Sequence, residues 1–155
     1  MTLRTIDSDA HVLEIPRTWE FMPEADRKYA PIVVAQTAGD ARTSNDGKNA
    51  LREYWVIDGR LQPKESNVGH ETTTSETREM RDIDARLKHM DELEIDIQVL
   101  YPTLFLRPIT LKGHVETPLV QSYNRWLGDI WKKGKNRLRW VAMPPLLQKI
   151  GRAHV

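Results

Sequence analysis

Cysteine is absent from the chain. With it go disulfide frameworks, thiol nucleophiles and thiolate zinc sites, so any metal must be held by histidines and carboxylates. Long apolar runs are also missing. Nowhere do roughly 18 uninterrupted apolar residues occur, which argues against a membrane-spanning helix, and the opening Met1-Thr2-Leu3-Arg4-Thr5-Ile6-Asp7 lacks the apolar core of a secretion signal. Charge of one sign is not in excess: Lys and Arg number 23 against 22 Asp and Glu. No long-range field therefore draws the chain to nucleic acid, a membrane surface or an acidic substrate. Glycine-rich phosphate loops, nucleophile elbows and kinase motifs are likewise lacking. What remains is a composition of 39% hydrophobic and 29% charged residues over 155 positions, which suits a soluble globular domain with one core. A reducing cytoplasm is compatible with it.

The most informative segment is Asp9-Ala10-His11, at the end of a short apolar run and followed by Glu14. Residues i and i+2 of a strand point the same way. An oxygen of Asp9 and an imidazole nitrogen of His11 could then reach one divalent ion, Zn²⁺ or Mn²⁺, both of which accept mixed N/O ligands. Two ligands do not hold a metal alone, and a polar strand end capping a turn is the competing reading.

The first strand is read from Arg4 to Val12, with Asp7, Asp9 and His11 on one face and Ile6, Ser8, Ala10 and Val12 on the other. Residues 15–75 look like an irregular insertion broken by Pro16, Pro23, Pro31 and Pro63, with a polar loop from Gly39 to Asn49. Inside it, Tyr54-Trp55-Val56-Ile57, Asp58-Gly59 and Arg60-Leu61 predict a β-hairpin, since Asp-Gly tolerates the positive φ of a type I′ turn. Met80, Ile83, Leu87, Met90 and Leu93 recur at three-four spacing and predict a helix from about Ser75 to Glu94. Thr73 with Glu76 would form its capping box, and Asp82 with Arg86 and Asp84 with Lys88 would pair on its exposed side. Ile95 to Tyr101 follows as a second strand, stopped by Pro102. A second helix is expected from Pro118 after Thr117 as N-cap, ending near Gly134, with Leu119, Tyr123, Trp126, Leu127, Ile130 and Trp131 inward. Leu138 to Met143 is the third strand. This β/α alternation predicts an open parallel sheet.

Three blocks carry a family resemblance: Ile6-Asp7-Ser8-Asp9-Ala10-His11-Val12-Leu13-Glu14, Arg81 to Leu93, and Ile95-Asp96-Ile97-Gln98-Val99-Leu100-Tyr101-Pro102-Thr103. Together with Ser122 to Leu127 and Arg137 to Leu146 they resemble the amidohydrolase-related metal-dependent TIM-barrel enzymes, the group that includes the aminocarboxymuconate-semialdehyde decarboxylase type. The resemblance implies an α/β fold that forms part of a (β/α)8 barrel: residues 1–149 would supply about its first three β/α units, with the hairpin inserted after the first strand. A whole barrel needs about 250 residues. It also implies that Asp9 and His11 are the first-strand metal ligands. The family's later ligands, a His near the fifth strand and an Asp near the eighth, have no counterpart here. In such enzymes the ion acidifies a water or polarises a substrate carboxylate, and the late Asp shuttles the proton. The expected activity is that of a hydrolase or non-oxidative decarboxylase on a small-molecule substrate, with this chain an inactive fragment; homo-oligomerisation of the full-length protein is left open. The alternative is a small non-catalytic binding or structural protein. The last six residues, Ile150 to Val155, break the pattern and are expected to be a non-native tail, because one DNA sequence encoding them opens a widely used sequencing adapter.

Other candidates are weaker. His70-Glu71 begins like a zincin motif but no His follows at i+4. His89 falls on the charged helix side. His114 is expected in a glycine-containing loop from which it could approach substrate, and Tyr101 and Thr103, at the C-terminal end of the second strand, are placed for substrate contact. The run Trp131 to Trp140 mixes cations with aromatics, yet basic residues at a helix C-terminus complement its dipole, so no nucleic-acid partner is expected.

Overall fold

In a computed structural model, residues 4–36, 52–64 and 72–148 are described. The polar loop Gly39 to Asn49, the pair His70-Glu71 and the C-terminal hexapeptide lie outside them. The elements run β1 (Ile6–His11), β2 (Ile32–Gln36), β3 (Arg52–Ile57), β4 (Arg60–Pro63), α1 (Ser75–Arg78), α2 (Ile83–Glu92), β5 (Ile97–Tyr101), α3 (Gly113–Lys133) and β6 (Leu138–Trp140). Two 3₁₀ helices, Pro16–Phe21 and Glu24–Tyr29, precede β2. One sheet is parallel, in the order β1-β5-β6, and the other is an antiparallel β2-β3-β4 ribbon. No helix among the described residues is long and apolar enough to cross a membrane.

The parallel sheet buries one face. Ala10, Val12, Leu100 and Leu138 pack with Leu87 and Met90 of α2 and with Leu119, Tyr123, Leu127 and Ile130 of α3. Each fully buried side chain of this size contributes roughly 1.5–3 kcal/mol. On the opposite face Ile97, Val99 and Tyr101 are only half-buried. Among the described residues β1 and β6 each pair on one side only.

β1 is not the regular strand that alternation predicts. Asp7 stands opposite Gln98 and Ala10 opposite Leu100, so β1 carries one more residue than β5 over this stretch. The extra residue reverses the facing of the first part of the strand. Asp7 therefore turns to the helix side, where it accepts a hydrogen bond from the buried Gln98 Nε2 (2.8 Å), and does not share the face of Asp9 and His11.

The helix expected over Ser75 to Glu94 is two helices. α1 ends in a Schellman turn, with Arg81 N–H donating to Glu76 O (2.9 Å) and Met80 at φ 53°. Asp82 then caps α2 by accepting from Ala85 N–H (2.9 Å). The break lets Met80 sink into the core. Thr74, not Thr73, is the N-cap residue of α1, and its side chain makes no capping bond. Asp84 pairs with Lys135 instead of Lys88, and Arg86 is buried rather than solvated.

α2 ends in a second Schellman turn: Ile95 N–H donates to Met90 O (2.9 Å), Glu94 N–H to Asp91 O (3.1 Å), and Glu94 has φ 54°. The left-handed conformation penalises a Cβ by roughly 1 kcal/mol. Glu94→Gly should accordingly raise unfolding stability in urea by about 1 kcal/mol; a loss of stability would refute this account of the turn.

α3 starts five residues before Pro118, which sits inside the helix. Thr117 is no N-cap; its Oγ1 donates back to Gly113 O (2.9 Å). Trp131 is 42% exposed rather than inward. β6 ends at Trp140, three residues earlier than expected. The hairpin turn is the type I′ turn that Asp-Gly predicts, with φ of 51° at Asp58 and 73° at Gly59. It belongs to a three-stranded ribbon because Ile32–Gln36 adds a strand.

Candidate metal centre

Past the bulge, His11 lies opposite Tyr101, and the two rings are 6.0 Å apart between centroids. The Nδ1 of His11 is 3.1 Å from the carbonyl oxygen of Pro102. A carbonyl can only accept, so Nδ1 carries the hydrogen and Nε2 of the neutral ring keeps its lone pair. That Nε2 lies 3.8 Å from Asp9 Oδ1. With metal–ligand distances of about 2 Å, one ion can touch both atoms, so the donor pair fits a divalent metal. The Asp9 side chain is 92% exposed and that of His11 25%, which leaves the approach open from the half-buried face of the sheet. Among the described residues no third His, Asp or Glu joins them in a group able to hold a metal.

Of the residues expected to contact substrate, Tyr101 stands beside His11. Thr103 does not project there: its Oγ1 donates to Val12 O (2.7 Å), tying the exit of β5 to that of β1. His114 is not in a loop but in the first turn of α3. Its ring packs edge-on against Tyr29 at 5.7 Å, in a pocket with Asp58 and Val115 that includes neither Asp9 nor His11.

Sequence reasoning gave no role to Glu14, three residues beyond His11. It is 4% exposed, and its carboxyl accepts the N–H groups of Thr103 (3.2 Å) and Leu104 (2.9 Å). Burial pushes its pKa up to about 7, outweighing the opposite pull of those backbone hydrogen bonds. The signal was present in the sequence: Glu14 is the one charge in Val12-Leu13-Glu14-Ile15-Pro16, where a strand is running into the core. Burial and the neighbouring Glu14 carboxyl also hold the Tyr123 phenol well above its usual range. Its hydroxyl has no hydrogen-bond partner among the described residues. Glu14 lines a solvent-open cavity of about 240 Å³ bounded by the exits of β1 and β5 and by the β3–β4 hairpin.

No protein-family model matches the chain, and no curated protein matches it. Among solved structures, it is similar to an amidohydrolase of Mycobacterium avium subsp. paratuberculosis K-10, with a TM-score of 0.57 and 17% sequence identity. The match covers 92% of this chain and 43% of that one. The likeness is one of fold: a mixed α/β arrangement with a parallel sheet and helices, compatible with part of an amidohydrolase barrel.

Proposed function

We propose that the chain supplies the opening β/α units of an amidohydrolase-type (β/α)8 barrel, and that Asp9 and His11 are the first-strand half of its divalent-metal centre, taking zinc or manganese. The observation that carries this reading is the hydrogen bond from His11 Nδ1 to Pro102 O, which fixes the ring with Nε2 turned toward Asp9 Oδ1. Metal-binding histidines are commonly held in this way by a backbone carbonyl on the other ring nitrogen. The fold match to under half the length of an amidohydrolase supports placing the remaining ligands, a His and an Asp, on later strands outside the described residues. Bound there, the ion would supply Lewis acidity. This chain's own part is to orient it through Asp9 and His11 and to wall the site with Tyr101.

The reaction we infer is hydrolysis or non-oxidative decarboxylation of a small molecule, in the cytoplasm. In the protein carrying the later strands, Asp9→Asn and His11→Ala should each lower metal-dependent turnover of an aromatic or enol carboxylate, an ester or an amide by more than about 100-fold. Groups that merely hydrogen-bond a ligand already cost about 10–100-fold. Activity and metal content that survive both changes would refute the assignment. The second reading, a non-catalytic binding or structural protein, is favoured by the absence of a third ligand among the described residues. A purified protein without stoichiometric metal would select it.

A further inference from the structure

We infer that the outward face of the β2-β3-β4 ribbon is a self-association surface, and that its partner is the same face of a second copy of this chain. The register sets Ile32, Val56 and Leu61 in one row across the three strands, and Val34, Tyr54 and Pro63 in another two residues away. Ladder partners point to the same side and alternate residues share a face, so these six side chains make one continuous patch. The intervening residues point the other way: Trp55 and Ile57 belong to the core, and Val33 packs against it. An antiparallel ribbon with one face on the core ordinarily turns polar side chains to water on the other. Here none of the six is charged, and Ile32 and Leu61 are 60% and 63% exposed. A contiguous exposed apolar patch of this kind marks an interaction surface.

Charge, shape and area select a second copy as the occupant. No charge stands on the face itself, and at its border Lys64 is engaged by Glu53 (2.6 Å) and Asp58 by Lys112 (2.7 Å). A charged peptide or a nucleic acid would therefore find no counter-charge on the face, and a facing copy would meet no like charge there. A three-stranded sheet is matched in width by another, packed about 10 Å away with its strands aligned. The other large elements of the chain do not fit: α2 and α3 already bury their apolar sides against the parallel sheet, and the half-buried face of that sheet carries Asp9 and His11. The patch offers on the order of 500 Å² per copy against about 800 Å² in a standard interface, which suits a weak dimer in exchange with monomer. At one edge it runs into a solvent-open hollow of about 370 Å³, lined by Ile32, Val56, Tyr29 and His114 among others, which a side chain of the facing copy can enter. Asp9 and His11 lie on the other sheet, so the inference stands apart from the metal reading.

The test is sedimentation of the whole chain over a dilution series, with amide NMR spectra at the same concentrations. A reversible monomer–dimer equilibrium is expected, and the amide signals that move on dilution should be those of β2, β3 and β4. Ile32→Lys and Leu61→Lys, both at exposed positions that the fold does not need, should each weaken the dimer about tenfold or more, because like charges then meet across the two-fold. Trp131→Lys, at an exposed apolar residue of α3 (42%), should leave it unchanged. The inference is overturned by a chain that stays monomeric at its highest attainable concentration, by dilution shifts confined to β6 or α3, by a dimer that tolerates both ribbon lysines, or by one that Trp131→Lys weakens as much as they do.

Discussion

Between about pH 5 and about pH 8 the chain should lose about 3 kcal/mol of unfolding stability, and Glu14→Gln should abolish that slope. The Glu14 pKa stands at about 7 in the folded chain against 4.5 for the unperturbed group. The folded state therefore keeps a proton that the unfolded state has released, and stability is full below about pH 4.5 and lost as pH rises through about 7. Every tenfold by which the folded chain holds that proton more tightly than the unfolded one is worth about 1.4 kcal/mol. The other titratable group facing the carboxyl, Tyr123 on α3, keeps its proton throughout because burial and Glu14 push it up. The curves of parent and variant should cross. A neutral carboxylic acid still accepts from both Thr103 and Leu104 N–H, whereas glutamine has one acceptor oxygen and strands one amide, at about 1–2 kcal/mol. Glu14→Gln should thus be the less stable protein at pH 5 and the more stable at pH 8. Urea midpoints at both pH values measure this, and parallel curves for the two proteins would contradict it.

The second large effect is expected at Arg86 on α2. The residue is 5% exposed; Nε donates to Gln98 Oε1 (2.8 Å), and another nitrogen donates more loosely to Thr77 O (3.4 Å). Gln98 in turn donates to Asp7 (2.8 Å), so the glutamine relays between a cation on α2 and an anion on the bulged part of β1. Burial lowers the Arg86 pKa while the Asp7 carboxylate opposes that shift. Arg86→Met should cost about 3 kcal/mol, because it leaves the Gln98 and Thr77 oxygens unpartnered and Asp7 without its compensating charge. Gln98→Leu added to it should cost less than the two single changes summed, by at least about 1 kcal/mol. A single-variant loss below about 0.5 kcal/mol, the range of ordinary surface substitutions, would show that the network does not hold α2 to the sheet.

What the sequence made legible were features set by local chemistry. Asp58-Gly59 specifies its turn through two positive φ angles, Glu94 had to stop a helix one residue before Ile95, and the β/α alternation gives the parallel sheet its order. Features set by tertiary competition were hidden. The pattern Met80, Ile83, Leu87 is continuous, yet Asp82 is a better cap than an interior helix residue, and burying Met80 offsets its left-handed backbone. Pro118 reads as a helix start, but burial of Val115 extends the helix ahead of it. The Ile32-Val33-Val34 run was a strand signal masked by the prolines around it. At the candidate site, the i, i+2 spacing put Asp9 and His11 on one face, and their side chains come within 3.8 Å, although the strand carries an extra residue between Asp7 and Ala10 that alternation does not foresee. Asp7 was misplaced for that reason. Glu14 was overlooked because a lone acid in an apolar run carries no motif; only the fold shows that two backbone amides receive it.

The central claim is that His11 presents Nε2, with Asp9 beside it, to a divalent ion. It is tested most directly by recording the imidazole ¹⁵N resonances of His11 while Zn²⁺ or Mn²⁺ is titrated into the chain. The expected result is the Nδ1–H tautomer before addition, a metal-dependent response at Nε2 (a shift with Zn²⁺, broadening with Mn²⁺), and weaker binding after Asp9→Asn. An Nε2–H tautomer, or an Nε2 signal that does not respond to either metal, would contradict it.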